Sequence, residues 1–158
     1  PCAGAAAVIA RKAGIFGMVG GQSLDVLLTD KPVNEKEMEF IFNLKTGALI
    51  EAAFMAGAIL AGAGKECVSQ LEKAGNLVGV AFQIKDDILD VTSTQEVLGK
   101  PVFSDEKNNK TTYVTLYGME KAAADVENMS EKAESIVKSI GDNEFLIELI
   151  NKLISREK

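Results

Sequence analysis

The segment FQIKDDILD, residues 82 to 90, places three carboxylates within five residues, at the end of the uncharged run GNLVGVAFQI. On a helix, Asp86 and Asp90 share a face with Gln83, whereas Asp87 points about a quarter-turn away. Stacked carboxylates repel each other, and a bound divalent cation converts that repulsion into coordination. Two interpretations follow: a solvated acidic face, which is the commoner case, or a cation site.

Other polar side chains interrupt helical stripes that are otherwise apolar. Lys45 lies on a stripe with Ile41 and Leu49, and Gln22 and Asp25 lie within an Ala/Gly-rich apolar stretch. Such a lysine either extends to solvent or supplies a fixed positive charge inside a cleft. Taken with the acidic segment, the pattern predicts a site for an anionic, metal-bridged ligand with an apolar tail.

The composition narrows the chemistry further. The chain has no His, which excludes Ser-His-Asp and Cys-His mechanisms, and its two distant Cys disfavour a zinc site. The remaining oxygen ligands suit Mg²⁺ or Mn²⁺. A net charge of −6 disfavours binding to nucleic acid. We recognise no secretory signal and no apolar stretch long enough to cross a bilayer without polar interruption, so we expect a cytoplasmic protein without a stable membrane anchor.

Hydrophobic periodicity predicts an all-α fold, because no strand-like alternation persists anywhere in the chain. Asn34 and Glu37 have the spacing of a capping box, and Gly141 resembles a helix C-terminus. The polar stretch 93–110 predicts a long loop, which is often functional. The predicted helices span residues 2–29, 35–61, 66–91, 111–139 and 142–157.

Five segments in one order resemble the trans-isoprenyl diphosphate synthases of the farnesyl and geranylgeranyl diphosphate synthase type. They are GMVGGQSLD (17–25), KTGALIEAA (45–53), GVAFQIKDDILD (79–90), LGK (98–100) and the pattern D-x-x-x-x-K-x-T-Y (105–113). An isolated DDxxD is weakly specific, but five collinear motifs that cover nearly the whole chain are highly specific. The resemblance implies a Mg²⁺-dependent prenyltransferase that condenses an allylic diphosphate with isopentenyl diphosphate.

The resemblance also implies roles for individual residues. Asp86 would bind Mg²⁺, and Asp90 and Asp105 would support that ion directly or through water. Lysines would hold the allylic diphosphate, and Lys45, Lys100 and Asp86 would act in catalysis. The implied substrate-binding residues are Gln22, Lys45, Thr46, Phe82, Gln83, Lys100 and Lys110.

The chain departs from the family pattern in what it lacks. It has one DDxxD motif, whereas the family has another upstream, together with basic residues for isopentenyl diphosphate. Arg11 and Arg156, its two arginines, match none of those binding positions. We therefore expect residues 1–158 to be the C-terminal part of a polyprenyl synthase domain, inactive alone and homodimeric in the complete protein. The length of the product stays open.

Two other interpretations remain. In the first, the chain is a non-catalytic subunit that partners a complete synthase, and the intact DDILD segment argues against it. In the second, it is a helical interaction module, which would leave Lys45 and the paired carboxylates unexplained.

Overall fold

A computed structural model describes residues 1–92, 111–141 and 143–156. These residues form helices and no strand, which confirms the all-α prediction. The helices are Cys2–Ala13 (α1), Met18–Leu27 (α2), Glu35–Ile41 (α3), Ala48–Leu60 (α4), Lys65–Thr92 (α5), Tyr113–Tyr117 (α6), Met119–Ile140 (α7) and Glu144–Ile154 (α8), with a π-helical segment at Phe42–Gly47.

Helix α5 is the centre of the bundle. It packs along α4 and the π-helical segment on one side and along α7 on another. Its apolar side chains Val78 and Ile84 are completely buried, as are Val137 of α7 and Ile150 of α8. Because α5 is central, its acidic end contacts residues of the C-terminal helical region, Tyr113 and Arg156.

Two of the predicted helices are divided by glycines. The predicted helix 2–29 is broken between α1 and α2, where a Cβ atom on Gly17 would lie 1.8 Å from the carbonyl oxygen of Lys12. The predicted helix 111–139 is broken at Gly118, whose φ of +84° favours glycine. Hydrophobic periodicity continues across both breaks, so the prediction of continuous helices was wrong there.

The start of α3 was predicted correctly from local sequence. The Asn34 side chain accepts a hydrogen bond from the backbone N–H of Glu37, and the Glu37 carboxylate accepts one from the N–H of Asn34. This reciprocal arrangement is the predicted capping box, and it satisfies two backbone donors that a helix start leaves unpaired.

Two segments of the described chain reach the length and apolar composition of a membrane span, although charged residues interrupt both. Residues Cys2–Leu27 and Glu35–Leu60 are each apolar and long enough to cross a bilayer. Their many Ala, Gly, Leu and Ile residues raise the hydropathy, and the most apolar 18 residues of each contain no more than two charged side chains. A core helix of a soluble protein meets the same criterion, so this finding alone assigns neither segment to a membrane.

The packing of α6 on α7 makes a pH-dependent contribution to stability. The Tyr113 hydroxyl donates a hydrogen bond of 2.6 Å to the Asp125 carboxylate. Burial, and then this hydrogen bond, raises the pKa of Tyr113 above its ordinary value. The folded protein therefore keeps a proton that the unfolded chain releases, and stability falls as pH rises above about 10.

Replacing Tyr113 by Phe should flatten this alkaline decline. We expect a smaller loss of unfolding free energy between about pH 9 and about pH 11 than in the unmodified chain, measured by urea denaturation. An identical slope for Tyr113→Phe would show that the phenol does not contribute to the decline.

Candidate functional site

The π-helical segment Phe42–Gly47 presents Lys45 and Thr46. Short π-helical insertions are rare and often occur at functional sites. Glycines allow the segment to lie against two neighbouring helices. A Cβ atom on Gly21 of α2 would lie 2.4 Å from the backbone nitrogen of Lys45, and one on Gly79 of α5 would lie 2.5 Å from the Cα of Gly47. The segment is therefore held between α2 and α5 by direct backbone contact.

Two side-chain pairs extend from this segment. The Lys45 ammonium pairs with the Asp25 carboxylate at 2.6 Å, and both side chains are partly buried. The Thr46 hydroxyl donates a hydrogen bond of 3.1 Å to the side-chain oxygen of Gln83 on α5. The structure thus explains two polar residues in apolar stripes, Lys45 and Asp25, by pairing them with each other.

A cavity of about 450 Å³ opens beside these pairs. Lys45, Asp25 and Gln83 contribute polar groups to its wall, while Met38 and Phe42 contribute apolar surface. The remaining lining residues are Leu28, Thr29, Asp30, Lys31, Val33, Ile41 and Thr111. Its volume is within the range of small-molecule sites, and it joins a cationic group to an apolar wall.

The three carboxylates at the end of α5 occupy different environments. The Asp86 side chain is 43% exposed, whereas Asp87 and Asp90 are only 4% and 2% exposed as residues. Asp87 accepts a hydrogen bond of 2.7 Å from the backbone N–H of Tyr113, at the start of α6. Asp86 is therefore the most accessible of the three, and Asp87 joins α5 to α6.

Arg156 contacts the acidic segment, which sequence analysis did not anticipate. Its guanidinium donates hydrogen bonds to the Asp86 carboxylate at 2.5 Å and to the Phe82 carbonyl at 3.1 Å. The same group lies 3.4 Å above the centre of the Phe82 ring. Burial lowers the pKa of Arg156, while Asp86 opposes that effect. Arg156 is 70 positions from Asp86, so no local pattern signals this contact.

A second unanticipated group of polar residues joins α1 to α4 and α5. Lys12 pairs with the buried Glu51 and, at 2.7 Å, with Glu72. The Asn76 amide donates to Glu51 at 2.7 Å and to Asn43 of the π-helical segment at 2.9 Å. Burial acts to lower the pKa of Lys12, but the two glutamates outweigh it and the net shift is upward. The one signal for this group in the sequence is Lys12 itself, a charged residue within an Ala-rich apolar helix.

The structure brings some of the predicted site residues together and separates others. Lys45 and Gln83 line the cavity and Thr46 bonds to Gln83, whereas Asp86 and Phe82 lie with Arg156 and do not line this cavity. Gln22 is half-buried on α2 and is also absent from the described lining. Lys100, Asp105 and Lys110 lie outside the described residues, so their predicted roles stay predictions.

The acidic segment suits magnesium by its ligand chemistry. Within residues 1–92, 111–141 and 143–156, no group of three or more His, Cys, Asp or Glu side chains is arranged to hold a metal ion. Magnesium does not require one, because it commonly binds one or two carboxylates together with water and substrate phosphates. The accessible Asp86 carboxylate fits direct ligation, and the buried Asp90 fits a supporting position.

Comparison with known proteins identifies the family. Residues 5–150 match the family model described as polyprenyl synthetase. The chain belongs to the polyprenyl synthetase family. Among curated members, farnesyl diphosphate synthase of Escherichia coli is 37% identical over 155 residues, which are 95% of this chain and 52% of that protein. Geranylgeranyl diphosphate synthase of Cyanophora paradoxa is 40% identical over 129 residues, covering 81% and 43% of the two chains.

A solved structure supports the same family assignment. Geranyltransferase of Helicobacter pylori, crystallised with magnesium and isoprenyl diphosphate, is 28% identical and superposes with a TM-score of 0.79. The match covers 97% of this polyprenyl synthetase chain and 50% of the other. The chain therefore spans about half the length of the relatives it matches.

Proposed function

We propose that this polyprenyl synthetase chain contributes the allylic-diphosphate side of a prenyltransferase active site. The proposal rests on the cavity whose wall contains both the Lys45 ammonium and the Gln83 amide. Gln83 lies about one helical turn before Asp86 on α5. Family membership supports the reaction class, and the magnesium and isoprenyl diphosphate bound to the Helicobacter pylori relative support the ligand class. The complete protein would condense an allylic diphosphate with isopentenyl diphosphate.

In the proposed reaction, the allylic C–O bond breaks and its electron pair leaves with the diphosphate. The double bond of isopentenyl diphosphate then supplies the electrons of the new C–C bond, and a proton lost from the adduct restores a double bond, with the departing diphosphate as acceptor. Lys45 would orient the diphosphate and stabilise its developing charge. Met38 and Phe42 would keep water from the allylic cation.

Asp86 would hold Mg²⁺, or Mn²⁺, with Asp90 in support. When bound, the divalent ion would neutralise the negative charge that develops on the leaving diphosphate. Thr46 and Gln83 would present their hydrogen-bonded oxygens beside the allylic carbons, and Lys45 would exchange its partner Asp25 for a phosphate oxygen. Lys100, Lys110 and Asp105 remain predicted contributors to the same site.

The proposal includes the organisation of the complete protein. We propose that residues 1–158 are the C-terminal part of a polyprenyl synthase domain that works as a homodimer in the cytoplasm. Apolar side chains on and between α1 and α2 support the existence of a covering partner, since Phe16 is 81% exposed and Ile15 is 71% exposed. The free thiols of Cys2 and Cys67 are consistent with a reducing compartment.

Replacing Lys45 by Gln tests the diphosphate role. We expect geranyl diphosphate to bind at least about tenfold more weakly in the presence of Mg²⁺, because a charge-assisted contact is lost. Isothermal titration calorimetry of the 158-residue chain would measure the change. The matched control is Lys73→Gln, which removes an exposed lysine from α5. Equal weakening in both variants would indicate general electrostatics and would contradict a site at Lys45.

A further inference from the structure

Arg156 pairs with Asp86, the most accessible carboxylate of the acidic segment. It is the last described residue of the chain, two positions beyond the end of α8, and its side chain is only 18% exposed. Two hydrogen bonds and one ring contact hold it: the Asp86 carboxylate and the Phe82 carbonyl accept its hydrogen bonds, and its guanidinium carbon lies 3.4 Å from the centre of the Phe82 ring. The C-terminal end of the bundle is thereby joined to α5 at the proposed metal ligand.

The guanidinium is not fully satisfied in this position. Its Nε atom is buried and has no hydrogen-bond partner among the described residues. A buried donor without a partner is unfavourable, which weakens the hold of the site on Arg156. The contact with Asp86 is also partly open to solvent, since the carboxylate side chain is 43% exposed. A competing cation can therefore approach the same oxygen atoms.

We propose that Arg156 is a built-in counter-cation of Asp86, which a divalent cation displaces on binding, so that metal binding releases the Arg156 side chain from α5. This inference rests on the proposed function, in which Asp86 binds Mg²⁺. A guanidinium and a divalent ion on the same carboxylate lie only a few ångströms apart, and their like charges repel each other, most strongly where burial lowers the local dielectric. The two cations must therefore compete, and the coupling acts equally in both directions.

Arginine side-chain NMR tests the displacement directly in the unmodified chain. The sequence contains two arginines, Arg11 and Arg156, so the spectrum of ¹⁵Nε–H groups contains two signals to assign. During a Mg²⁺ titration, the Arg156 signal should shift from its buried position toward that of a solvated arginine, while the exposed Arg11 stays unchanged. Sodium chloride at matched ionic strength should leave both signals in place. An Arg156 signal that Mg²⁺ does not move would overturn the inference.

Calorimetry with Mg²⁺ alone tests the competition from the other side. Arg156→Gln should bind Mg²⁺ about tenfold more tightly than the unmodified chain, because the charged competitor is removed. Arg156→Lys should lie between the two, since it keeps the charge but loses the planar fork. The matched control, Arg11→Gln, removes the same charge from α1 and should not change the affinity.

The outcomes separate this inference from the proposed function. Equal Mg²⁺ affinity in the unmodified chain and Arg156→Gln would overturn the inference and leave a metal site at Asp86 standing. Absence of Mg²⁺ binding in every variant would reject the metal site and the competition together. An equal gain in Arg11→Gln would assign the effect to net charge and would also overturn the inference.

Discussion

Asp86→Ala should abolish most Mg²⁺ binding while leaving the fold intact. Asp87→Ala should instead destabilise the fold while leaving most Mg²⁺ binding in place. Asp86 is partly exposed, and Arg156 keeps its hydrogen bond to the Phe82 carbonyl when Asp86 is removed, so the loss of stability should be only about 1 kcal/mol. Asp87 is buried and accepts the backbone N–H of Tyr113, so its removal should cost about 2 kcal/mol.

The two variants should separate further in metal binding and catalysis. Loss of a direct ligand at Asp86 should weaken Mg²⁺ binding by about a hundredfold or more, and in the complete enzyme it should remove about 3 kcal/mol of transition-state stabilisation. Urea denaturation and Mg²⁺ calorimetry on the same two samples measure both effects. A folded Asp87→Ala variant that loses as much Mg²⁺ affinity as Asp86→Ala would contradict the assignment of Asp86 as the ligand.

Gly79→Ala should destabilise the protein, although alanine is the better helix former. Its Cβ atom would meet the Cα of Gly47 at 2.5 Å and the nitrogen of Gly47 at 3.1 Å. Both are backbone atoms, so the π-helical segment must separate from α5. We expect a loss of about 1–3 kcal/mol on urea denaturation, together with weaker ligand binding as Lys45 and Thr46 move.

Gly57→Ala is the matched control for that substitution. Gly57 is an exposed glycine within α4, and a Cβ atom there would meet nothing within 4 Å. Its replacement should stabilise the protein by about 0.5–1 kcal/mol through helix propensity alone. The two alanine substitutions should therefore have opposite signs, and a stabilising Gly79→Ala would show that the close backbone contact does not constrain the segment.

Local signals predicted the elements that depend on local interactions. The capping box at Asn34 and Glu37 is formed by side chains three positions apart, and hydrophobic periodicity was sufficient to place α5 within one residue at each end. The family resemblance rested on five motifs, and the match to residues 5–150 confirms it.

Features that depend on tertiary packing were not predictable from such signals. A π-helical segment adds one residue to a turn, and the glycines that accommodate it, Gly21 and Gly79, belong to two other helices. Arg156 matches no binding position of the family, yet its side chain contacts Asp86, 70 positions away in the chain. Lys12 and Glu51 lie 39 positions apart and showed no recognisable spacing.

The central claim is that residues 1–158 supply the allylic-diphosphate half of a prenyltransferase site. The most direct measurement joins these residues to the N-terminal part of Escherichia coli farnesyl diphosphate synthase and assays the incorporation of radiolabelled isopentenyl diphosphate with geranyl diphosphate and Mg²⁺. We expect Mg²⁺-dependent product from the joined protein, little from its Asp86→Ala variant, and none from residues 1–158 alone. A soluble, cooperatively folded joined protein with no activity above its Asp86→Ala variant would contradict the claim.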